Sequence, residues 1–148
     1  MSVNGTGQTR LTDSLTYDVW PVWSSDGSKL AFFSRRDSDR DGSNDEVYLM
    51  NVDGSDVTRL TTDRHHDFCP AWSPDGTRIV FASLRDGGGA ELYMMNADGS
   101  GQEKLTDDSG RATEPLWSPD GAKIAFTSNR EGNNEIYVID VTGRQHYE

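Results

Sequence analysis

Three short blocks along the chain are almost unbroken in apolar character: KLAFFS (29–34), RIVFAS (78–83) and KIAFTS (123–128). One more follows each of them: EVYLMN (46–51), ELYMMN (91–96) and EIYVID (135–140). Each block is short, rich in β-branched or aromatic residues, and bounded by turn residues, which is how a strand buried on both faces reads. The polar punctuation between them is equally regular. SSDG or SPDG precedes each block of the first set, and VDGS or ADGS follows two of the second, as tight-turn signals. No stretch sustains a helical period, so the pattern predicts an all-β chain.

The blocks belong to a repeat. WSSDGSKLAFFSRR (23–36) aligns without gaps on WSPDGTRIVFASLR (72–85) and on WSPDGAKIAFTSNR (117–130). The tryptophans Trp23, Trp72 and Trp117 are spaced by 49 and then 45 residues, the period of a four-stranded propeller blade. The predicted fold is therefore a β-propeller of four-stranded antiparallel blades, three per chain, with repeats over about 13–61, 62–106 and 107–148. The segment VNGTGQTRLT (3–12) aligns on ADGSGQEKLT (97–106), so the chain opens with a fourth strand whose own first three are missing. The last repeat lacks its fourth strand.

The repeat P-x-W-S-P-D-G-x-K-I-A-F-x-S-x-R, with E-I-Y-V-M-N-x-D-G-S and L-T after it, resembles the TolB-type β-propeller repeat. The likeness runs from Val3 to about Arg144, with Ser25 standing where the family usually has proline. It implies a propeller, and TolB resembles a ring of six blades. Because propellers run from about four to eight blades, three make a poor ring. We therefore expect a homodimer that forms one six-bladed propeller, each N-terminal strand closing the last blade of its neighbour. The competing expectation is a structural fragment or mini-propeller with no partner beyond itself.

Composition narrows the partners. The formal net charge of -11 argues against nucleic acid and against an anionic membrane surface. No apolar run is long enough for a transmembrane helix, and the first residues form no signal-peptide core. The compartment is undecided by sequence; the TolB resemblance implies a periplasmic or otherwise extracytoplasmic one. A single cysteine, Cys69, allows no disulfide within the chain and reads as a small buried filler before Pro70.

In an up-and-down blade the SPDG and ADGS turns share one face and hardly vary. The other face carries the variable connections, where function in repeat arrays tends to sit. One of these, RRDSDRDGSND, is longer and more acidic than its counterparts LRDGGGA and NREGNN. Asp37, Asp39 and Asp41, then Gly42, the Ser43 carbonyl and Asp45, give D-x-D-x-D-G-x-x-D. Alternating carboxylates in a curled loop supply the hard oxygen ligands Ca²⁺ takes, so this hairpin is a predicted structural calcium site, with Glu46 as an assisting ligand. It is similar to the calcium loop inserted in integrin-like propeller blades, and its twelfth position is Tyr48, so no EF-hand is implied. The alternative is a solvated acidic hairpin with no ion.

A second candidate is a ligand site at the channel mouth formed by Asp18, His65, His66, Asp67 and Glu114, weighed against ordinary polar loop residues. The three repeated tryptophans read as blade-packing core, and Asp26, Asp75 and Asp120 as turn-makers. Trp20 lies off the pattern and is a candidate contact residue. The chain carries no G-x-S-x-G, H-E-x-x-H or glycine-rich phosphate loop, and the expected role is non-catalytic: a scaffold binding a protein or peptide. A hydrolase-associated propeller is the remaining alternative.

Overall fold

The computed structural model describes residues 6–37, 44–107 and 110–142. The expected strands form where the apolar blocks lie: β1 (Asp18–Trp23), β2 (Lys29–Ser34), β3 (Glu46–Asn51) and β4 (Thr58–Arg59) in one antiparallel sheet. The second sheet has β5 (Asp67–Trp72), β6 (Arg78–Ser83), β7 (Glu91–Asn96) and β8 (Glu103–Lys104). The third has β9 (Ala112–Trp117), β10 (Lys123–Ser128) and β11 (Glu135–Asp140). The fold is all-β, and its three sheets are propeller blades in chain order. No helix among the described residues is long and apolar enough to cross a membrane.

The alternation along each strand sends side chains to two neighbours, which explains why the blocks are apolar throughout. Ile79 and Phe81 of β6 pack towards blade one with Ala31, Val47 and Leu60. Val80 and Ala82, the residues between, pack towards blade three with Ile124 and Phe126. The SPDG turns close as their composition requires. Asp26 Oδ1 accepts hydrogen bonds from Ser24 Oγ (2.6 Å) and the Ser28 amide (3.0 Å), and Asp75 and Asp120 repeat the arrangement. These aspartates are turn-makers, as expected.

The tryptophans divide by position. Trp117 is 7% exposed between blades two and three, with the Arg78 guanidinium 5.5 Å from its ring centroid, whereas Trp23 is 61% exposed. The residue at Trp23 has the same sequence context but no blade on its outer side. The N-terminal segment also takes a place that strand counting left open. Residues 6–12 pair with no strand among the described residues, where the third sheet ends at β11. Leu11 instead packs on Leu30, Phe32, Tyr48 and Met50 at the outer face of blade one. The segment lies at the opposite end of the blade row from β11, so it closes no blade within its own chain.

Candidate binding face

The inner strands share an irregularity. The β1–β2, β5–β6 and β9–β10 ladders each shift register between their first and last pairs. Trp20, Cys69 and Glu114 occupy the same point of the three bulges, with φ of 59°, 52° and 54°. Left-handed backbone at residues that are not glycine is uncommon and gathers at functional sites. Trp20 is 47% exposed and Glu114 is exposed, whereas Cys69 is buried. Burial pushes the Cys69 thiol up to about 11, helped by the nearby Glu114 charge, so it is no thiolate nucleophile at neutral pH. The candidate channel-mouth residues do not stand at one repeat position: Asp18 and Asp67 open their strands, Ala112 is their counterpart, and Glu114 belongs with Trp20 and Cys69.

Asp18 and Asp67 serve a different repeated unit. Arg36 Nη2 lies 2.7 Å from Asp18, and Arg85 Nη2 3.0 Å from Asp67. Each arginine lies over two aromatic rings of its own blade, Arg36 on Phe32 and Tyr48, Arg85 on Phe81 and Tyr93, Arg130 on Phe126 and Tyr137. Their guanidinium Nε atoms donate to Ser34, Ser83 and Ser128. These stacked arginines were visible in the sequence as S-x-R at the end of each block of the first set, but spacing alone gave them no role. Burial pushes Asp67 up to about 6, against hydrogen bonding from Ser83 and the charge of Arg85. Asp18 stays below the usual carboxylate range because Ser34, Arg36, Thr12 and Ser14 outweigh its burial.

At the junction of blades one and two, the variable connections converge on Asp45. Arg35 Nε donates to Asp45 Oδ1 at 2.8 Å, His66 Nδ1 lies 2.8 Å from Oδ2, and the Tyr17 hydroxyl donates to Oδ1. The Arg35 guanidinium also lies 5.1 Å from the Tyr17 ring centroid. Burial pushes the Asp45 carboxyl up, but the hydrogen bonds from Arg35, Tyr17 and His66 hold it below its ordinary value. Beneath it, Glu46 is fully buried, hydrogen-bonded by Arg59, Thr61 and Asn44. Burial raises Glu46 to about 7 although Thr61 and Arg59 oppose it.

Of the predicted calcium ligands, Asp39, Asp41 and Ser43 lie outside the described residues. Asp37 is exposed and accepts a hydrogen bond from the Tyr48 hydroxyl at 3.1 Å. Asp45 already has a cation and two further partners, and Glu46 is committed to the blade, so neither is an open oxygen donor. His65 and His66 are loop residues that part company: His65 is exposed beside Asp63, His66 is turned to Asp45. The structure thus brings His66 and Asp67 to one junction but leaves Asp18 and Glu114 in other blades. Among the described residues no three of His, Cys, Asp and Glu could hold one metal ion. What remains at this junction is a polar cluster fixed by ion pairs; Tyr17, Trp20 and His65 are exposed.

Residues 62–147 match the family described as the TolB beta propeller domain. A putative TolB from Agrobacterium tumefaciens is 29% identical, with a TM-score of 0.77 over 91% of this chain and 49% of that one. TolB from Acinetobacter baumannii is 26% identical, with a TM-score of 0.80 over 95% of this chain and 34% of its own. An oligogalacturonate lyase solved with manganese shares the fold at 17% identity and a TM-score of 0.66, over 87% of this chain and 40% of that one. No curated protein sequence matches. The chain spans half or less of the TolB structures it matches. The recurring blades, their bulged inner strands and the match over residues 62–147 place this chain in the TolB beta-propeller family.

Proposed function

We propose that two copies of this chain join into a six-bladed ring, and that its variable face binds a protein or peptide without catalysing a reaction. One observation carries this reading. The two end faces of the blade row repeat the two halves of the interface buried inside it. Blade one meets blade two through Val22, Ala31, Val47 and Leu49, against Trp72, Ile79, Phe81 and Met95. On blade three the counterparts of the first set are Leu116, Ala125, Ile136 and Val138. On blade one the counterparts of the second are Trp23, Leu30, Phe32 and Met50. Leu116, Ile136 and Val138 are 68%, 74% and 57% exposed, an apolar patch of the kind that marks an interface. Opposite it, Trp23, Leu30, Phe32 and Met50 line a groove of 290 Å³.

Light scattering on a sizing column tests the assembly: a mass twice 16.4 kDa is expected, and a clean monomer refutes it. The share of the TolB structures covered favours a second reading, in which further blades of one longer polypeptide cover the same faces. An isolated chain that stays monomeric or associates without closing supports that reading instead. The proposal includes an extracytoplasmic location, which the TolB family membership favours, and calcium held by the acidic hairpin through Asp37, Asp39, Asp41 and the Ser43 carbonyl. Asp45 would join them only by giving up Arg35. Calorimetric titration with Ca²⁺ is expected to show one site per chain, and no heat together with an unchanged melting temperature in EDTA would remove it.

A further inference from the structure

We infer that residues 8–12 of one copy add to the open edge of β11 in a second copy, in one register, locked by Thr12 and Arg10 on Glu135. The inference rests on the two-copy assembly proposed above and specifies its joint. The chain holds two worked examples of that joint. In blade one, Tyr48 pairs with Arg59 and Leu49 with Thr58; in blade two, Tyr93 pairs with Lys104 and Met94 with Glu103. The next residue extends the ladder: the Leu60 amide donates to the Val47 carbonyl at 2.8 Å, and that of Leu105 to the Leu92 carbonyl at 2.7 Å. A threonine then closes it. Thr61 Oγ1 accepts from the Val47 amide at 2.9 Å and donates to Glu46; Thr106 Oγ1 accepts from the Leu92 amide at 2.9 Å and donates to Glu91. In blade one Arg59 adds an ion pair to the same carboxylate, Glu46.

Blade three presents the acceptor half of this lock, and no described residue fills it. Glu135 and Ile136 occupy the positions of Glu46 and Val47. Val47 and Leu92 are 0% exposed, yet Ile136 is 74% exposed, and Glu135 is exposed where Glu46 and Glu91 are buried. The donor half stands at the other end of the chain, already shaped. QTRLT (8–12) repeats VTRLT (57–61) in all but its first residue. Arg10 Nε donates to the Thr12 carbonyl at 2.7 Å, as Arg59 Nε does to that of Thr61 at 2.7 Å. Leu11 is seated on Leu30, Phe32, Tyr48 and Met50 as Leu60 is on Ile79, Phe81, Tyr93 and Met95. The Leu11 carbonyl rests against Gly54 as the Leu60 carbonyl rests against Gly99. The segment therefore keeps the position of a fourth strand belonging to the preceding blade, and little ordering remains to oppose its pairing.

The repeat sets the register. Thr9 faces Val138 and Arg10 faces Tyr137 of the second copy, the Leu11 amide meets the Ile136 carbonyl, and Thr12, whose hydroxyl serves Asp18 within its own copy, turns to the Ile136 amide and Glu135. A backbone tie accompanies it. The Asp67 amide donates to the Asp45 carbonyl at 2.7 Å and the Ala112 amide to the Ala90 carbonyl at 2.6 Å, so the Asp18 amide meets the Asn134 carbonyl across the joint. Within its own copy Arg10 holds the Thr12 carbonyl through Nε and Asp13 through Nη2, and the Asp13 contact is an exposed pair of the kind that contributes little and yields readily.

Cysteine pairs in the full chain test the register, because directly opposed strand residues fall within disulfide reach and residues two places off do not. Thr9→Cys with Val138→Cys is expected to oxidise to a covalent dimer; Thr9→Cys with Ile136→Cys is expected to form no disulfide and to run as a monomer on a non-reducing denaturing gel. Thr12→Val and Glu135→Gln are each expected to weaken the dimer about ten-fold per joint, about a hundred-fold for a ring with two. A dimer by light scattering in which the opposed pair cross-links no faster than the offset pair overturns this inference and leaves the assembly standing. A monomer of the unmodified chain overturns the assembly reading itself. A ladder of covalent species beyond two copies upholds the strand addition and refutes closure of the ring.

Discussion

Replacing Thr106 by valine removes one hydroxyl of nearly unchanged shape from the lock of blade two. Thr106 is buried, and its Oγ1 serves the Leu92 amide at 2.9 Å and the buried Glu91 carboxylate. Leu92 is 0% exposed, so its amide gains no water when the acceptor goes. Leaving a buried backbone donor unpaired costs about 1–3 kcal/mol, and losing a hydrogen bond to a charged group about 1.5–3. The added methyl returns about 0.8 kcal/mol of apolar burial, and local relaxation absorbs part of the remainder. The net expectation is about 2–4 kcal/mol of lost stability, or roughly 6–15 °C in melting temperature for a domain of this size. Thr58→Val is the control, since that hydroxyl is exposed and bonds only the Asp56 carbonyl; it is expected to stay within about 0.5 kcal/mol. Urea unfolding of the two variants and the parent at one protein concentration measures both. A loss below about 1 kcal/mol for Thr106→Val would refute the claim that the threonine lock holds the outer strand to its blade.

Glu46 has its carboxyl raised from 4.5 to about 7 by burial, so the native state binds its proton more tightly than the unfolded chain does. The sign follows: stability falls as pH rises from about 4.5 to 7 and then levels, by at most about 3 kcal/mol. Glu46→Gln is expected to flatten the pH dependence in that window, and an unchanged slope in chemical denaturation at several pH values would count against the burial argument. Gly99 has φ +88°, and a Cβ built there lies 2.9 Å from the Leu60 carbonyl oxygen of the neighbouring blade. Gly99→Ala is therefore expected to cost more than the roughly 1 kcal/mol of backbone strain alone, while Gly87→Ala, with φ +75° and open space, costs only the strain. Equal melting temperatures for the two variants would show that the blades do not press together at this turn.

Different parts of the molecule were legible to different depths. The strands and their turns follow from local rules: apolar blocks buried on both faces, and an aspartate three residues ahead of β2, β6 and β10. Those rules act within a few residues, so the repeated W-S-P-D-G and E-x-Y blocks carried them intact. The arginine stack was present as S-x-R but needed the aromatic rings of two other strands to become a site. The bulged Trp20, Cys69 and Glu114 share no residue type, because what recurs there is a backbone angle and not a side chain. Likewise nothing in the acidic run announced that Asp45 would be taken by Arg35, Tyr17 and His66, which arrive from three separate connections.

The sequence by itself determined the blade, its period, its turns and the family, since each depends on short-range periodicity repeated three times. Only the tertiary structure decided which copies of the repeated residues are covered. Trp23 and Trp117 have the same local pattern, yet one is 61% and the other 7% exposed, because burial depends on whether another blade lies alongside. The same holds for Glu135 and Glu46, and for the two T-R-L-T segments: one is paired in its blade, and the other lies unpaired against the outer face of blade one. Local sequence specifies a strand; a neighbour's presence specifies its environment.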